Sequence, residues 1–225
     1  PPLRVPRVCL AVTDTAPASL VDKAEALIRD NTFLEFRLDY LPRPLLALPR
    51  IKRFMEYHPH VTAIATCRRT ASGGKFKGSL ASQLDILGKA SASGCQLLDI
   101  ELQSAAKCKP EQPKRWGPRS AFVSSHNDFR ATKKLEGTLE KMGKCPADCY
   151  KILGTATTLY DNVTMMKFLE KVGDRHSLVG LCMGEQGIIS RLLGVRAGSV
   201  FTFAAVSPDE KTAPGQTTAQ ELRNT

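Results

Sequence analysis

The segment Asp148-Cys149-Tyr150-Lys151-Ile152-Leu153-Gly154-Thr155-Ala156 has the apolar run of a short buried strand, with a lysine inside it. Burying an ammonium without a partner is costly and favours the neutral amine. A neutral amine is a nucleophile that forms an imine with a ketone. Against this stands a plainer reading, in which Lys151 snorkels outward or pairs with a carboxylate. The sequence on either side of the segment decides between them.

Upstream and downstream, short apolar runs alternate with helical patterns. Strands are expected over 7–13, 33–40, 61–68, 95–102, 121–126, 148–156, 177–183 and 199–206. Helices are expected over 19–28, 45–57, 80–92, 134–142, 159–172 and 188–193, with a short one from Thr217. The Pro/Lys-rich stretch 107–118 carries no clear element. About eight strand-then-helix units, with no linker and no internal repeat, point to one domain over 1–225 and to a (β/α)8 TIM barrel. In such a barrel the active site lies at the carboxyl ends of the strands. A doubly wound open sheet is the alternative. It would carry a glycine fingerprint after its first strand, and Thr13-Asp14-Thr15-Ala16-Pro17 is not one. Gly73-Gly74, in the polar loop 69–78, lets backbone approach a ligand or flex as a lid.

Alternation along the strands sorts the charges. Glu35, Arg37 and Asp39 share one face of the second strand, and Leu34, Phe36 and Leu38 the other. Asp99 and Glu101 likewise oppose Leu98, Ile100 and Leu102 in the fourth. In a barrel the apolar face packs on helices, so the charged face turns inward. Arg68 ends the third strand and His126 the fifth. Glu35, Arg37, Arg68, Asp99, Glu101, His126 and Lys151 are therefore expected to converge. They form either a salt-bridged filling or, as clustered titratable groups do, a reaction site. The residue types specify a chemistry. An imine at Lys151 acidifies the neighbouring carbon, and His126 is the base suited to neutral pH. An inward Asp99 or Glu35 would support the imidazolium, and arginines would hold a carboxylate. Arg191, early on the helix after the seventh strand, is a candidate for that task. His58, His60 and His176 fall in or beside loops.

Composition narrows the partners. The chain has 225 residues, a formal charge of +10, 42% hydrophobic and 24% charged residues. These are ordinary globular values with a bias toward acidic partners. The basic residues are dispersed, without the aromatic interleaving of single-strand binders, so no nucleic-acid partner is expected. No apolar run is long enough for a membrane span, and no signal peptide is visible, so a cytoplasmic location is expected. The seven cysteines are read as reduced and buried. Cys145-x3-Cys149 lacks a second pair or a nearby histidine, so no metal is expected. The chain opens on Pro1 and ends on Arg223-Asn224-Thr225, which is read as a domain excised from a longer chain.

Several segments together carry a family resemblance. They are Glu35-Phe36-Arg37-Leu38-Asp39, Thr66-Cys67-Arg68, Ser124-Ser125-His126-Asn127-Asp128-Phe129, Lys151-Ile152-Leu153-Gly154-Thr155-Ala156, Met183-Gly184-Glu185-Gln186-Gly187-Ile188-Ile189-Ser190-Arg191 and Ala213-Pro214-Gly215-Gln216. In this order, and over nearly the whole chain, they resemble type I 3-dehydroquinate dehydratase. The wording is similar to the dehydratase domain of the fungal pentafunctional arom polypeptides. The resemblance implies a (β/α)8 barrel, no cofactor, and a metal-free syn dehydration of 3-dehydroquinate to 3-dehydroshikimate. It implies that Lys151 forms the Schiff base, and that His126 takes the C2 proton and helps the C1 hydroxyl leave. It implies that Arg191 holds the substrate carboxylate, and that Glu35, Arg37 and Arg68 contact the ring. Thr212 and Gln216 match the closing loop, Met183 a methionine packed near the imine, and Asp99 a carboxylate behind the histidine. It further implies neighbouring domains of a multifunctional chain as partners. Two departures stand out. Ser72 occupies a position where many relatives carry Glu, and the extra N-terminal segment that precedes the first strand in bacterial relatives is expected to be absent.

Two other readings use the same residues. One is a different Schiff-base barrel lyase such as an aldolase, although Ser207-Pro208-Asp209-Glu210-Lys211 is no Gly-rich anion cradle. The other is a silent scaffold barrel, which would have no need of Lys151 or His126.

Overall fold

Strand and helix alternate along the whole chain: β1 (Val8–Val12), α1 (Pro17–Leu27), β2 (Phe33–Arg37), α2 (Leu48–Tyr57), β3 (Thr62–Thr66), α3 (Leu80–Ala92), β4 (Leu97–Glu101), α4 (Leu102–Ala105), β5 (Ala121–Asn127), α5 (Leu135–Gly143), β6 (Cys149–Thr155), α6 (Tyr160–Val172), β7 (Leu178–Met183), α7 (Ile188–Leu193), β8 (Thr202–Ala205) and α8 (Ala219–Arg223). The structure, a computed structural model, describes residues 3–108, 120–145 and 147–223. Most of the 107–118 stretch, and the ends of the chain, lie outside the described residues.

The strands form one eight-stranded sheet in the order β7-β6-β5-β4-β3-β2-β1-β8. Neighbours in sequence are neighbours in the sheet, without the reversal of order that defines a doubly wound sheet. With β8 beside β1, this is the order of a (β/α)8 barrel. The segment leading into β8 also reaches β7, where Val200 N–H donates to the Leu178 carbonyl at 2.7 Å. Such pairing covers what would otherwise be exposed strand edges. The expected architecture is the observed one.

Two compact units divide the chain, one of residues 11–123 and one of 1–10 with 124–225. In the first unit β3 pairs in parallel with β2 and β4, with Arg37 opposite Thr66 and Thr66 opposite Asp99. Phe36 meets Phe54 of α2 edge-on at 5.9 Å, so its face of β2 is the helix side. Glu35 and Arg37 therefore lie on the side away from the helices. All five residues of β2 and of β4 are buried, charges included. In α3, Ser79 caps the first turn by accepting from the Ser82 N–H at 3.1 Å, and Leu84, Ile86, Leu87 and Ala90 form the buried stripe.

The second unit is built around β6 and β7, which pair in parallel with Lys151 opposite Val179, Ile152 opposite Gly180 and Thr155 opposite Met183. Gly180 sits against Met165 and Leu169 of α6, which marks the helix side of both strands. Lys151, Leu153, Thr155 and Met183 share the opposite side.

Several element limits depart from the sequence reading. β3 stops at Thr66, so Arg68 follows the strand instead of ending it, and α2 begins at Leu48 after a 3-10 turn over Pro44–Ala47. The second strand was expected to run to 40, but it stops at Arg37, and Leu38–Tyr40 form a 3-10 turn. Asp39 thereby leaves the strand and bends back to the Arg37 guanidinium. Leu102, expected to end the fourth strand, opens α4. The last strand begins at Thr202 rather than 199, because Ser199 Oγ is engaged by its own chain, donating to the Phe201 carbonyl at 2.9 Å.

Candidate active site

Lys151 lies on β6 and is only 4% exposed. Its Nζ stands 4.3 Å from the centroid of the Phe203 ring on β8, over the ring face. The snorkelling alternative is therefore not the observed conformation. Met183, at the end of β7, is buried on the same side of the strands as Lys151.

His126 sits near the end of β5 and is partly buried. Its turn is tied to β6. Asp128 N–H donates to the Leu153 carbonyl at 2.7 Å, and Thr155 Oγ1 donates to the Asp128 carbonyl at 2.8 Å. Burial pushes the His126 imidazole below the ordinary histidine value, the Asp128 charge opposes this, and Lys141 adds to it. The imidazole is thus neutral at neutral pH, the state a proton acceptor needs.

Arg191 is the largest fully buried side chain among the described residues, at 1% exposure. Its Nη2 donates to the Pro214 carbonyl at 3.2 Å, and its Nε meets no acceptor among the described residues. Burial, with little opposition from Cys182, brings its pKa down to about 10, which leaves it cationic at neutral pH. A buried cation with an unmet N–H is a site for an anion.

The helix that carries Arg191 is held by a residue the sequence reading passed over. Asn162 of α6 is fully buried; its Nδ2 donates to the Gln186 carbonyl at 2.7 Å and its Oδ1 accepts from the Ser190 N–H at 2.9 Å. Ser190 Oγ in turn accepts from the Cys182 N–H at 2.8 Å. The available signal was an asparagine at helical spacing with apolar Met165, Phe168, Leu169 and Val172.

The loop after β8 folds on itself and onto the turn before α7. Gln216 Oε1 accepts from the Thr212 N–H at 2.7 Å and from its Oγ1 at 3.1 Å. The Pro214 carbonyl also accepts from the Gly184 N–H at 2.9 Å. Gly215 has a φ of +68°, and a Cβ there would collide with the Gly184 carbonyl. Thr212 and Gln216 thus form the internal brace of a loop whose carbonyl touches Arg191.

The first unit holds the remaining charges as a bonded cluster. Glu35 Oε1 accepts from Thr66 Oγ1 at 2.6 Å. Arg37 donates through Nε and Nη2 to the two carboxylate oxygens of Asp39, at 2.9 and 2.8 Å. Burial lowers the Arg37 pKa, but Asp39, with Glu35 and Tyr40, outweighs it and the net direction is upward. Arg68 Nη2 donates to Asp99 Oδ1 at 2.8 Å, while Nη1 meets no acceptor among the described residues. Glu101 accepts from Gln83 Nε2 at 2.8 Å. Asp99, expected behind the histidine, has Arg68 as its bonded partner within this unit. Ser72, at the position noted for a missing Glu, donates to Gln103 Oε1 at 2.7 Å.

The sequence model of type I 3-dehydroquinase matches residues 8–225. A curated 3-dehydroquinate dehydratase from Dehalococcoides mccartyi is 34% identical over 225 residues, 98% of this chain and 94% of the relative. Among solved structures, 3-dehydroquinate dehydratase from Geobacillus kaustophilus superposes with a TM-score of 0.85 at 23% identity, over 98% of this chain and 89% of that one. The structure of dehydroquinate dehydratase and shikimate dehydrogenase from S. pombe AroM gives a TM-score of 0.74 at 21% identity, over 96% of this chain and 43% of that one.

Proposed function

The chain belongs to the type I 3-dehydroquinase family, and we propose that Lys151 is its Schiff-base residue and His126 the group that moves its protons. The enzyme is a 3-dehydroquinate dehydratase, a hydro-lyase of the shikimate pathway of aromatic amino-acid biosynthesis. The observation that carries the assignment is Lys151 itself, an amine 4% exposed on the strand side turned away from α6, in the same unit as a histidine biased toward its neutral form.

The Lys151 amine adds to the C3 ketone and water leaves to give the imine, protonated to the iminium by a proton taken from solvent and returned on hydrolysis. His126 removes the C2 proton, and the electron pair of the C2–H bond moves toward the iminium nitrogen to form an enamine. The enamine expels the C1 hydroxyl, which takes the proton back from His126 and departs as water. A second water hydrolyses the imine, frees 3-dehydroshikimate and restores the amine. The net change is the loss of one water.

Arg191 holds the substrate carboxylate through the Nε that has no acceptor among the described residues. Glu35, Arg37 and Arg68 keep the ring-binding roles that the resemblance implies. Asp99 is the supporting carboxylate, and its bond to Arg68 fixes that arginine. Met183 packs by the imine, and Thr212 with Gln216 braces the loop that closes over substrate.

Neighbouring domains and a cytoplasmic location are finer parts of the reading. The curated relatives lend no support to further domains, since this chain spans 94% of the Dehalococcoides protein. The AroM structure supports them only as an arrangement found in another chain. Among the described residues, no helix is long and apolar enough to cross a membrane. The test is the rise in ultraviolet absorbance from the conjugated product when the protein meets 3-dehydroquinate. Wild type produces it and Lys151→Ala does not. Equal rates from both would remove Lys151 from the chemistry.

A further inference from the structure

Asp39 lies off the strand where its sequence position put it, and there it meets three donors. Its Oδ1 accepts from Arg37 Nε at 2.9 Å, and its Oδ2 accepts from Arg37 Nη2 at 2.8 Å and from the Lys75 backbone N–H at 3.1 Å. The carboxylate side chain is wholly buried, whereas Lys75 lies on the exposed loop 69–78 that follows β3. The same two cations flank Tyr40, with the Arg37 guanidinium 4.9 Å and Lys75 Nζ 3.9 Å from its ring centroid. The loop is also folded back on the end of its own strand. Phe76 N–H donates to the Arg68 carbonyl at 3.0 Å, Thr70 N–H to the Phe76 carbonyl at 3.1 Å, and Gly74 N–H to the Arg69 carbonyl at 3.0 Å. One buried carboxylate thus joins Arg37 to a loop rooted at Arg68.

We propose that Asp39 is a positioning residue that sets the Arg37 guanidinium and straps loop 69–78 to it. The loop is then a fixed wall beside Arg37 and Arg68, and the glycine pair Gly73-Gly74 shapes a turn in it instead of hinging a lid. A bidentate carboxylate fixes both the place and the plane of a guanidinium. A buried ion pair is poor evidence of a stabilising role, because desolvation offsets its attraction. Holding a binding arginine in register explains it better. The third bond couples the two parts: lifting the loop strips a buried carboxylate of a donor, which is costly. The ring-binding role of Arg37 rests on the function proposed above, whereas the strap does not.

The test compares wild type with Asp39→Asn, Lys75→Pro and Arg37→Gln. In Asp39→Asn the amide nitrogen cannot accept, so at least one of the three bonds is lost. Lys75→Pro deletes the loop's N–H to Asp39, and with it the Lys75 ammonium over Tyr40, at an exposed position; Lys75→Ala, which removes the ammonium and keeps the N–H, is the control. In the ligand-free enzyme, the amides of Thr70, Gly74 and Phe76 are expected to exchange about tenfold faster in the first two variants. With 3-dehydroquinate, Asp39→Asn is expected to raise KM about tenfold and to change kcat by less than about threefold. Wild-type exchange rates in both Asp39→Asn and Lys75→Pro overturn the strap. An unchanged KM in Asp39→Asn, with a raised KM in Arg37→Gln, overturns the positioning of Arg37. An unchanged KM in Arg37→Gln instead overturns the ring-binding role, and the exchange rates still decide the strap.

Discussion

Arg191 Nη2 donates to the Pro214 carbonyl at 3.2 Å, and this bond joins a buried cation to the loop after β8. Its Nε is unmet among the described residues, which leaves a donor on a buried cation for the carboxylate proposed above. Arg191→Met is expected to raise KM about 100-fold, the scale of a lost charge-assisted pair. Thermal stability should stay level or rise, because a desolvated charge is removed. Steady-state kinetics beside a melting curve checks both. A lowered melting temperature with an unchanged KM would assign Arg191 to the fold.

The loop itself is the subject of the second prediction. Gly215 needs its positive φ and its closeness to Gly184 for the loop to lie on the turn before α7. Gly215→Ala forces the loop off that turn and withdraws the carbonyl of Pro214 from Arg191. KM is expected to rise about tenfold, with loss of amide protection at Gly184. Retained protection at Gly184 would show that the loop tolerates the methyl group.

His126 makes a prediction about pH. Its pKa is depressed by burial and partly restored by Asp128. A base with a depressed pKa stays deprotonated to lower pH, so the acid limb of kcat/KM is expected below about 6.5, the ordinary histidine value. Asp128→Asn removes the opposing charge and moves the limb further down. Lys141→Ala removes a cation that disfavours the imidazolium and moves it up. A limb above the ordinary value in wild type would contradict the assignment.

Asn162 is expected to matter for stability in proportion to what it satisfies. Asn162→Leu leaves the Gln186 carbonyl without its donor and the Ser190 N–H without its acceptor. Ser190 is buried and Gln186 exposed, so the Ser190 N–H carries the cost: a buried group left unmet costs about 1–3 kcal/mol, and a loss of about that size is expected in urea unfolding. The effect on KM should follow, since the same turn presents Arg191.

Much of this was legible in the sequence, for a physical reason. A strand buried on both sides has no solvent face, so charges within it must point at one another or at a ligand. The runs around Glu35, Arg37, Asp99 and Lys151 announced that directly, and all four residues are buried. Apolar stripes such as those of α3 gave helix limits that the structure reproduces at 80 and 92. Strand ends were less visible, because they are set by side-chain bonds that periodicity does not encode. The early end of β2, where Asp39 returns to Arg37, and the late start of β8, where Ser199 binds its own chain, are of this kind. Asn162 was hidden because a polar residue on an apolar helix face reads as noise until its partners are known. The Asp39–Lys75 bond spans 36 residues and left no local signal.

The central claim is that Lys151 forms an imine with the substrate ketone. The most direct measurement is borohydride reduction in the presence of 3-dehydroquinate, followed by intact and peptide mass. The account predicts a reduced ligand adduct on the peptide that carries Lys151, and none in Lys151→Ala. An unmodified Lys151 peptide from an enzyme that still turns over substrate would contradict it.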